Sequence, residues 1–402
     1  MISVADVLSL PLLSNIRIYA GKNGLSNPVL HAGFFEWEEL SDIPKYFEED
    51  ELIITTLSSA KDDRLASEKI ISSLIHNRPA AIFIKDVFFS DSSEYIRHLA
   101  DKKCVPVIFF SDAYIDRLFH AVYQLLESSS SVSMADIILT ELFNNEHDHD
   151  STEVRLHALN PSFFRDSFLV LYISHNSAVS DNAVDEYYKK LSLCRENIAA
   201  IEIDGLRTIF SIIKYKYGIL IISSANSDEK RLINKYQQEL LKRLNDISGF
   251  ENMYTGIGCS YTGANGFASA FRHAVFANIT AITDGQHIVN SDCIDYDYAI
   301  FSTINDSSVI SFYERINEQL NEPSNKKIML LETMLAFVRS DGNIQHTAAA
   351  LFQHQNTIRY RIERIKEIFG TEQTIALYCK LYFFRKVYLS KPYLDAFSEA
   401  AD

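Results

Sequence analysis

The sequence has few cysteines and no long apolar run. Its five cysteines are scattered over 402 residues without a CxxC pair, which argues against a disulfide framework or a thiolate zinc site. Apolar runs such as VPVIFF and YGILIIS are strand-sized, well short of the roughly 18 residues that span a bilayer. The N-terminus has an aspartate inside its apolar run and no basic leader, so no secretory signal is expected. These features predict a soluble cytoplasmic protein without a membrane partner.

Composition and charge indicate a folded chain with one basic end. Hydrophobic residues make up 47% and charged residues 23% of the sequence, as in folded soluble proteins, and the length predicts two or three domains. The formal net charge is -15, yet residues 326–391 contain eleven Lys and Arg against five Asp and Glu. An acidic body with one basic end suits a chain that binds nucleic acid through that end. Chance clustering of basic residues is the alternative.

The first part of the chain predicts an α/β domain over residues 1–112. Strand-like apolar runs alternate with helical patterns in the order strand 51–56, helix 61–77, strand 80–84, helix 91–103 and strand 105–110. This alternation predicts parallel strands joined by crossover helices.

A partly helical, Ser-containing linker is expected over residues 113–150. Apolar residues recur at helical spacing at Ile115, Leu118, Phe119, Val122, Leu125 and Leu126. Such a stripe forms either a dimer seam or a face that packs on its own domain, and both remain open. The motif NNEHDHD at 144–150 suggests a metal site, but two histidines that are two residues apart beside a Ser-rich run favour a solvated loop.

A second α/β domain is expected over residues 151–298. The predicted elements are strand 167–174, helix 181–199, hairpin 207–224, helix 228–246, strand 252–260 and helix 266–281. A helical connector at 299–325 then leads to a polar boundary at Pro323. The remaining parts are an all-α domain at 326–390 and an acidic tail at 391–402.

The all-α domain contains the ingredients of a helix-turn-helix. Asn343 is a capping-type residue before an alanine-rich helix, and a short break at Phe352 and Gln353 precedes a second helix. In that helix an apolar seam recurs at i, i+4, i+7 and i+11, at Ile358, Ile362, Ile365 and Phe369. The residues predicted on the opposite, solvent-facing side are Asn356, Thr357, Tyr360, Arg361 and Arg364.

The residue types on this helix suit DNA. Asn and Gln pair with adenine, Arg pairs with guanine, and Thr contacts a thymine methyl or a phosphate. Arg359 and Lys366 are predicted to flank the seam and to face phosphates. The candidate DNA-binding residues are Gln355, Asn356, Thr357, Arg359, Tyr360, Arg361 and Arg364. An ordinary amphipathic helix with a basic face is the alternative.

Three stretches resemble one family of regulators. GNIQHTAAALFQHQNTIRYRIERIKEIFG is similar to the C-terminal helix-turn-helix of PucR/CdaR-type transcriptional regulators, and Asn356, Thr357, Arg359, Tyr360 and Arg361 match its pattern. VADVLSLPLLSNIRIYAGKNGLSNPV, followed by DELIITT, resembles the N-terminal PucR domain. YTGIGCSYTGANGFASAFRHAVFA resembles the end of the family's degenerate, GGDEF-like middle domain. The resemblance implies a sequence-specific transcriptional regulator with two sensor or scaffold domains before its DNA-binding domain.

An enzyme of the diguanylate cyclase type is the main alternative function. Such an enzyme needs magnesium-binding carboxylates after its first strand and on its hairpin. Here the first strand runs into Ser174, His175 and Asn176, and the hairpin turn IKYKYG has lysines and a lone Gly218. We therefore expect no enzymatic activity, no cofactor and no metal. The glycines of TGIGCSYTG fit no phosphate-binding motif and are interpreted as a turn between strand and helix.

The resemblance also implies a metabolic signal, which in this family is often linked to purine or nitrogen catabolism. Ligands of α/β domains lie beyond the carboxyl ends of parallel strands. The candidate effector-binding residues are Glu51, Thr55, Thr56 and Lys85, and ordinary turn residues are the alternative.

The expected partners are double-stranded DNA, a small-molecule effector of unknown identity and a second copy of the chain. A homodimer would use the linker helix or the aromatic-rich helix at 374–389. A sensor that does not bind DNA and acts through protein contacts is a further alternative.

Overall fold

The computed structural model describes residues 2–36, 40–128, 134–144, 149–179 and 182–398. The chain divides into two compact units. The first comprises Met1–Ile282, His287–Ser291 and Ala396–Asp402, and the second comprises Thr283–Gln286 and Asp292–Asp395. Within the described ranges, no helix combines the length and apolarity needed to cross a membrane.

The N-terminal part of the first unit is built on a five-stranded sheet. Its elements are α1 (Val4–Leu8), β1 (Ile16–Ala20), β2 (His31–Phe34), α2 (Ile43–Tyr46), β3 (Glu51–Thr55), α3 (Arg64–His76), β4 (Ala81–Lys85), α4 (Glu94–Lys103), β5 (Val107–Phe110) and α5 (Ile115–Ser128). The strand order is β1-β5-β4-β3-β2, with β2 to β5 parallel and β1 antiparallel to β5. The three predicted strands and their crossover helices are confirmed, whereas β1 and β2 were not predicted.

Continuous apolar strands arise here because the sheet is covered on both faces. Alternate residues of β3 contribute to two different cores: Ile53 packs in one, and Leu52 and Ile54 pack in the other. All three side chains are fully buried. Burial of each such side chain contributes about 1.5 to 3 kcal/mol of hydrophobic stabilisation.

The linker helix α5 packs on its own domain. Leu118 and Val122 have no exposed surface and belong to the core on one face of the sheet. Phe119 and Leu126 are partly buried against the same core. Between the two roles left open for this stripe, the structure favours packing on its own domain.

Two sequence motifs of the linker fall mainly outside the described residues. They are residues 129–133 of the Ser-rich run and residues 145–148 of NNEHDHD. The choice between a loop and a metal site at NNEHDHD therefore stays a prediction. Among the described residues, no group of three His, Cys, Asp or Glu side chains is placed to hold a metal ion.

The middle part of the first unit carries a second five-stranded sheet. Its elements are α6 (Met134–Asn144), α7 (His149–Leu159), β6 (Ser167–Ser174), α8 (Asn182–Leu193), α9 (Arg195–Ala199), β7 (Thr208–Tyr215), β8 (Gly218–Ala225), α10 (Lys230–Asn245), β9 (Tyr254–Ser260), α11 (Phe267–Asp284) and β10 (Ile288–Asn290). The strand order is β10-β9-β6-β8-β7. The hairpin β7–β8 is antiparallel, as predicted, while the predicted helix at 181–199 consists of two helices.

The glycines of TGIGCSYTG have a packing role. A Cβ at Gly256 would lie 2.0 Å from the carbonyl oxygen of Ala274, and one at Gly258 would lie 1.9 Å from that of Ala270. Both glycines lie inside β9 and allow α11 to cross the strand closely. Only Gly263, at φ 69°, belongs to the turn that the sequence predicted.

The second unit is helical among its described residues. Its helices are α12 (Asp295–Ser302), α13 (Ser307–Asn321), α14 (Pro323–Lys327), α15 (Leu330–Arg339), α16 (Ile344–Ala350), α17 (Gln355–Phe369) and α18 (Thr374–Ser398). The helices α14 and α15 are separated at Met329, whose φ is 57°.

The acidic tail predicted over residues 391–402 is helical as far as residue 398, where α18 ends. Leu394 and Phe397 lie three residues apart on one face of α18, and both are buried. Phe397 belongs to the first unit, where its ring stacks on that of Phe143 with centroids 4.7 Å apart. Burial of this apolar face stabilises the end of α18 even though acidic residues surround it.

Candidate nucleic-acid interface

The helices α16 and α17 are each fixed by local capping. The Asn343 side chain accepts hydrogen bonds from the backbone nitrogens of Gln345 and His346 at 2.8 and 3.1 Å. His354 Nδ1 accepts from the backbone nitrogen of Asn356 at 3.2 Å, and Gly370 ends α17 in the left-handed conformation. These caps define the short turn that separates the two helices.

The apolar seam of α17 is buried as predicted. Ile358, Ile362, Ile365 and Phe369 pack in the core of the second unit. The other members of that core are Ile316, Leu320, Leu330, Met334, Phe337, Val338, Ala348, Leu377, Leu381 and Phe384. The seam therefore orients α17 and determines which of its side chains reach solvent.

Arg361 is buried, so the prediction that it faces solvent was wrong. Only 8% of its surface is exposed. Arg361 lies three residues after Ile358, which at 100° per residue places it about 60° from Ile358 around the helix, beside the seam. The sequence interpretation counted only apolar residues as seam members and overlooked this spacing.

A hydrogen-bond chain accommodates the buried guanidinium. Arg361 Nη1 donates to Thr333 Oγ1 at 3.1 Å, and the Thr333 hydroxyl donates to the carbonyl oxygen of Met329 at 2.7 Å. Thr333 is fully buried on α15. Arg361 thus ties α17 to α15 instead of presenting its charge to a ligand.

The exposed face of α17 carries a compact polar group in its first turns. Asn356, Arg359 and Tyr360 are exposed, while Gln355 and Thr357 are half-buried. Arg359 Nη1 donates to Asn356 Oδ1 at 2.9 Å. The structure therefore brings together an amide and a guanidinium that suit base edges and phosphates, respectively.

The later turns of α17 are nearly neutral. Arg364 forms an ion pair with Glu367, and Lys366 Nζ lies 2.7 Å from Glu363 Oε1. Arg364 is exposed, as predicted, but an acidic neighbour balances its charge. The positive potential of this helix is consequently concentrated at Arg359.

Part of the positive charge of residues 326–391 is buried away from any surface. Lys386 has 1% exposure, and its Nζ lies 2.9 Å from Asp284 Oδ2 and 2.6 Å from Asp297 Oδ2. Arg385, also buried, lies 3.4 Å from Asp284 Oδ1. The local charge excess of the sequence therefore overstates the charge available to DNA.

Two features of the turn were missed by the sequence interpretation. His354 caps α17 through its ring nitrogen, a role that its position directly before the helix signals. Phe352 has a φ of 52° and is 94% exposed, which leaves its ring on the surface between α16 and α17. Nothing in the apolar character of Phe352 signals such exposure.

The predicted effector-binding residues have local partners. Thr56 donates from its backbone nitrogen and its hydroxyl to the buried carboxylate of Glu36, at 2.5 and 2.8 Å. Thr55 Oγ1 accepts from the backbone nitrogen of Leu57 at 2.9 Å. Lys85 Nζ donates to the carbonyl oxygen of Ala113 at 2.8 Å. These contacts fit the alternative interpretation as turn residues.

Glu51 lies away from the other three candidates. It begins β3, whereas Thr55 ends the strand, so the two occupy opposite edges of the sheet. Glu51 Oε2 accepts from the backbone nitrogen of Glu48 at 2.9 Å, and burial raises the pKa of the Glu51 carboxyl. The structure therefore brings Thr55, Thr56 and Lys85 to one edge, without Glu51.

Comparisons with known proteins match both ends of the chain. Residues 330–374 match the PucR C-terminal helix-turn-helix domain, and residues 6–126 match the purine catabolism regulatory protein-like family. No curated protein sequence matches.

Among solved structures, the chain is similar to a regulator of polyketide synthase expression from Bifidobacterium adolescentis. The identity is 12%, and the match covers 64% of this chain and 97% of the other, with a TM-score of 0.27. Such a score supports no argument about this chain. The two family matches include β1 to β5, the seam of α17 and the polar group of its first turns. The chain therefore carries a PucR-type domain in its N-terminal part and a PucR-type helix-turn-helix near its C-terminus, and this pair of domains indicates a transcriptional regulator.

Proposed function

We propose that this regulator recognises specific DNA sequences with the first turns of α17. The observation that carries the proposal is the exposed trio of Asn356, Arg359 and Tyr360 on a helix whose other face is fixed by a buried seam. A helix-turn-helix places such a recognition helix in the major groove, with its N-terminal residues against base edges. Arg361 is left out of the contact set because it is buried.

The polar residues of α17 have two kinds of proposed role. Asn356 reads adenine through its amide, and Arg359 pairs with a phosphate or a guanine. Gln355, Thr357, Tyr360 and Arg364 are proposed as supporting contacts to the sugar-phosphate backbone.

The test starts with genomic fragments selected by the purified full chain. On a selected fragment, Arg359→Ala should lower the affinity about tenfold. The slope of log affinity against log salt concentration should show about one counterion fewer released on binding. Arg315→Ala is the matched control, since Arg315 is an exposed arginine on α13 of the same unit. Equal losses in the two variants would contradict the proposal, and so would a failure of the chain to enrich any fragment.

We propose that the regulator binds DNA as a homodimer, because one short reading helix supplies limited affinity. Neither of the faces suggested by the sequence favours this directly. The stripe of α5 packs on its own domain, and Leu377, Leu381 and Phe384 of α18 lie in the core of the second unit. Sedimentation velocity tests the dimer, and a monomer at concentrations that saturate DNA would refute it.

The middle domain is proposed to be a GGDEF-like scaffold without cyclase activity. Ser174, at the end of β6, is buried and donates to Asn278 Oδ1 at 2.9 Å, where a cyclase needs a metal-binding carboxylate. At the hairpin, a Cβ on Gly218 would lie 2.7 Å from the carbonyl oxygen of Ile173, so this glycine serves strand packing. Cyclic dinucleotide formed from GTP and magnesium would overturn the proposal.

We further propose that the regulator acts in the cytoplasm and responds to a small metabolite. The support is the match to the purine catabolism regulatory protein-like family. That name describes the family and does not identify the metabolite for this chain. Mapping the bound genomic sites would identify the regulated genes and thereby the class of metabolite.

A further inference from the structure

A cavity in the first unit lies apart from the predicted effector residues. Its volume is about 470 Å³, within the range typical of small-molecule sites. Its lining includes Asn27, Asp50 and Val105 from the N-terminal sheet region and Tyr188 and Arg195 from α8 and α9. The walls thus combine an apolar surface with several charged groups.

The guanidinium of Arg195 forms no ion pair with any residue that the structure describes. Arg195 is 5% exposed, and its Nη1 donates to Ser26 Oγ at 3.2 Å. Its Nη2 is buried and has no hydrogen-bond partner among the described residues. A buried cation that lacks an anionic partner is destabilising, so this guanidinium favours a ligand that supplies an acceptor.

Three other cations on the wall are already paired, and the fourth, Lys189, is exposed to solvent. Arg78 and Lys103 each lie 2.9 Å from Glu196 Oε1, and Lys214 pairs with Asp185. Burial raises the pKa of Asp50, whereas the charge of Arg195 partly opposes that rise.

A buried acceptor accompanies this donor. Asn27 is 7% exposed, and its Nδ2 donates to the carbonyl oxygens of Ala80 and Cys104 at 3.0 and 2.9 Å. These two bonds fix the orientation of the amide and leave Oδ1 buried without a partner among the described residues. The wall therefore offers one charged donor and one neutral acceptor.

We propose that this cavity binds a small organic carboxylate that also carries an O–H or N–H donor. The carboxylate pairs with Arg195, the donor group reaches Asn27, and the body of the ligand packs against Val105, Tyr188 and Leu193. The idea that the bound carboxylate is the metabolic signal rests on the proposed function. The binding of a carboxylate in this cavity does not.

The test uses the full chain without DNA, so its outcome does not depend on DNA recognition. Salicylate and 4-hydroxybenzoate are the probes because their hydroxyls lie at different distances from the carboxylate. Their amides, salicylamide and 4-hydroxybenzamide, are the uncharged controls. Calorimetric titration should show at least one acid binding about tenfold or more tightly than its amide.

Variants at Arg195 distinguish a binding role from a structural one. Arg195→Met should weaken binding of the acid about tenfold or more, while the melting temperature of the unliganded protein stays equal or rises, because an unpaired buried charge is removed. Arg195→Lys should retain part of the affinity. The proposal is overturned if neither acid binds more tightly than its amide, or if Arg195→Met melts well below the wild type or fails to fold.

Discussion

Two of the buried arginines, Arg361 and Arg195, have opposite bonding environments. In the helix-turn-helix region, Arg361 donates to Thr333, and none of its nitrogens is both buried and unpartnered. In the cavity of the first unit, Arg195 has a buried nitrogen without a partner. Burial alone therefore does not identify the role of an arginine, because the bonding partners decide between a structural contact and a binding site.

The same distinction applies to the two predicted sites. Thr55, Thr56 and Lys85 have polar partners within the protein, and such a set offers few unused hydrogen bonds to a ligand. Arg359 and Asn356 bond to each other on the surface and remain accessible. A partner molecule gains most where hydrogen-bonding groups are left unused or exposed.

The largest expected effect concerns Arg361. Arg361→Ala removes the bond to Thr333 and the packing of the aliphatic stem, so the free energy of unfolding of the second unit should fall by about 2 to 3 kcal/mol. Denaturant titration monitored by circular dichroism measures it. Arg359→Ala, two residues earlier and exposed, is the control and should change the stability by less than about 0.5 kcal/mol. Equal effects in the two variants would refute the structural role of Arg361.

A smaller effect is expected at Thr333, the partner of Arg361. Thr333→Val keeps the shape but removes the acceptor, so stability should fall by about 1 to 2 kcal/mol. In the background of Arg361→Ala the same change should cost much less, because the shared bond is already absent. Additive losses in this double-mutant cycle would show that the two side chains are not coupled.

The smallest effect concerns the paired cations of the cavity. Burial, the largest single influence, raises the pKa of Glu196, but Lys103 and Arg78 together outweigh it and lower the pKa below its ordinary value. Because the carboxyl has a lower pKa in the folded state, its ion pairs stabilise the protein fully at pH values above the unfolded pKa of about 4.3. This contribution is lost as the pH falls through the lower, folded value.

Glu196→Gln should therefore reduce the stability near about pH 7 by less than about 1 kcal/mol, since the pair is partly exposed. The difference between wild type and variant should shrink as the pH falls below the unfolded pKa and vanish once the folded carboxyl is protonated as well. Thermal melts across this range measure it. A difference that persists in acid would show that the ion pairs are not its source.

The sequence predicted the elements with strong local patterns. Continuous apolar runs identified β3, β4, β5 and the hairpin β7–β8, and helical periodicity identified α3, α4 and α10. The short strands β1 and β2 were missed because their burial depends on neighbours distant in the chain: β1 pairs with β5 in antiparallel register.

The candidate site was predicted in its chemistry but not in its full geometry. Asn356, Arg359 and Tyr360 are exposed at the start of α17, and the seam lies where the spacing placed it. The placement of Arg361 failed because a charged residue was assigned to solvent although its spacing fits the seam. The cavity could not be predicted, since Asn27 and Arg195 are brought together only by the tertiary fold.

Recognition by α17 is tested most directly by the sequence preference of an Asn356→Ala variant. Selection from a randomised DNA pool at fixed salt should yield a defined motif for the wild type and for the Arg315→Ala control. For Asn356→Ala, the preference should relax at one or two adjacent positions of each half-site, with a loss of about 1 to 3 kcal/mol on the wild-type motif. If the variant selects the same motif with unchanged affinity, α17 does not read DNA through Asn356, and the central claim is contradicted.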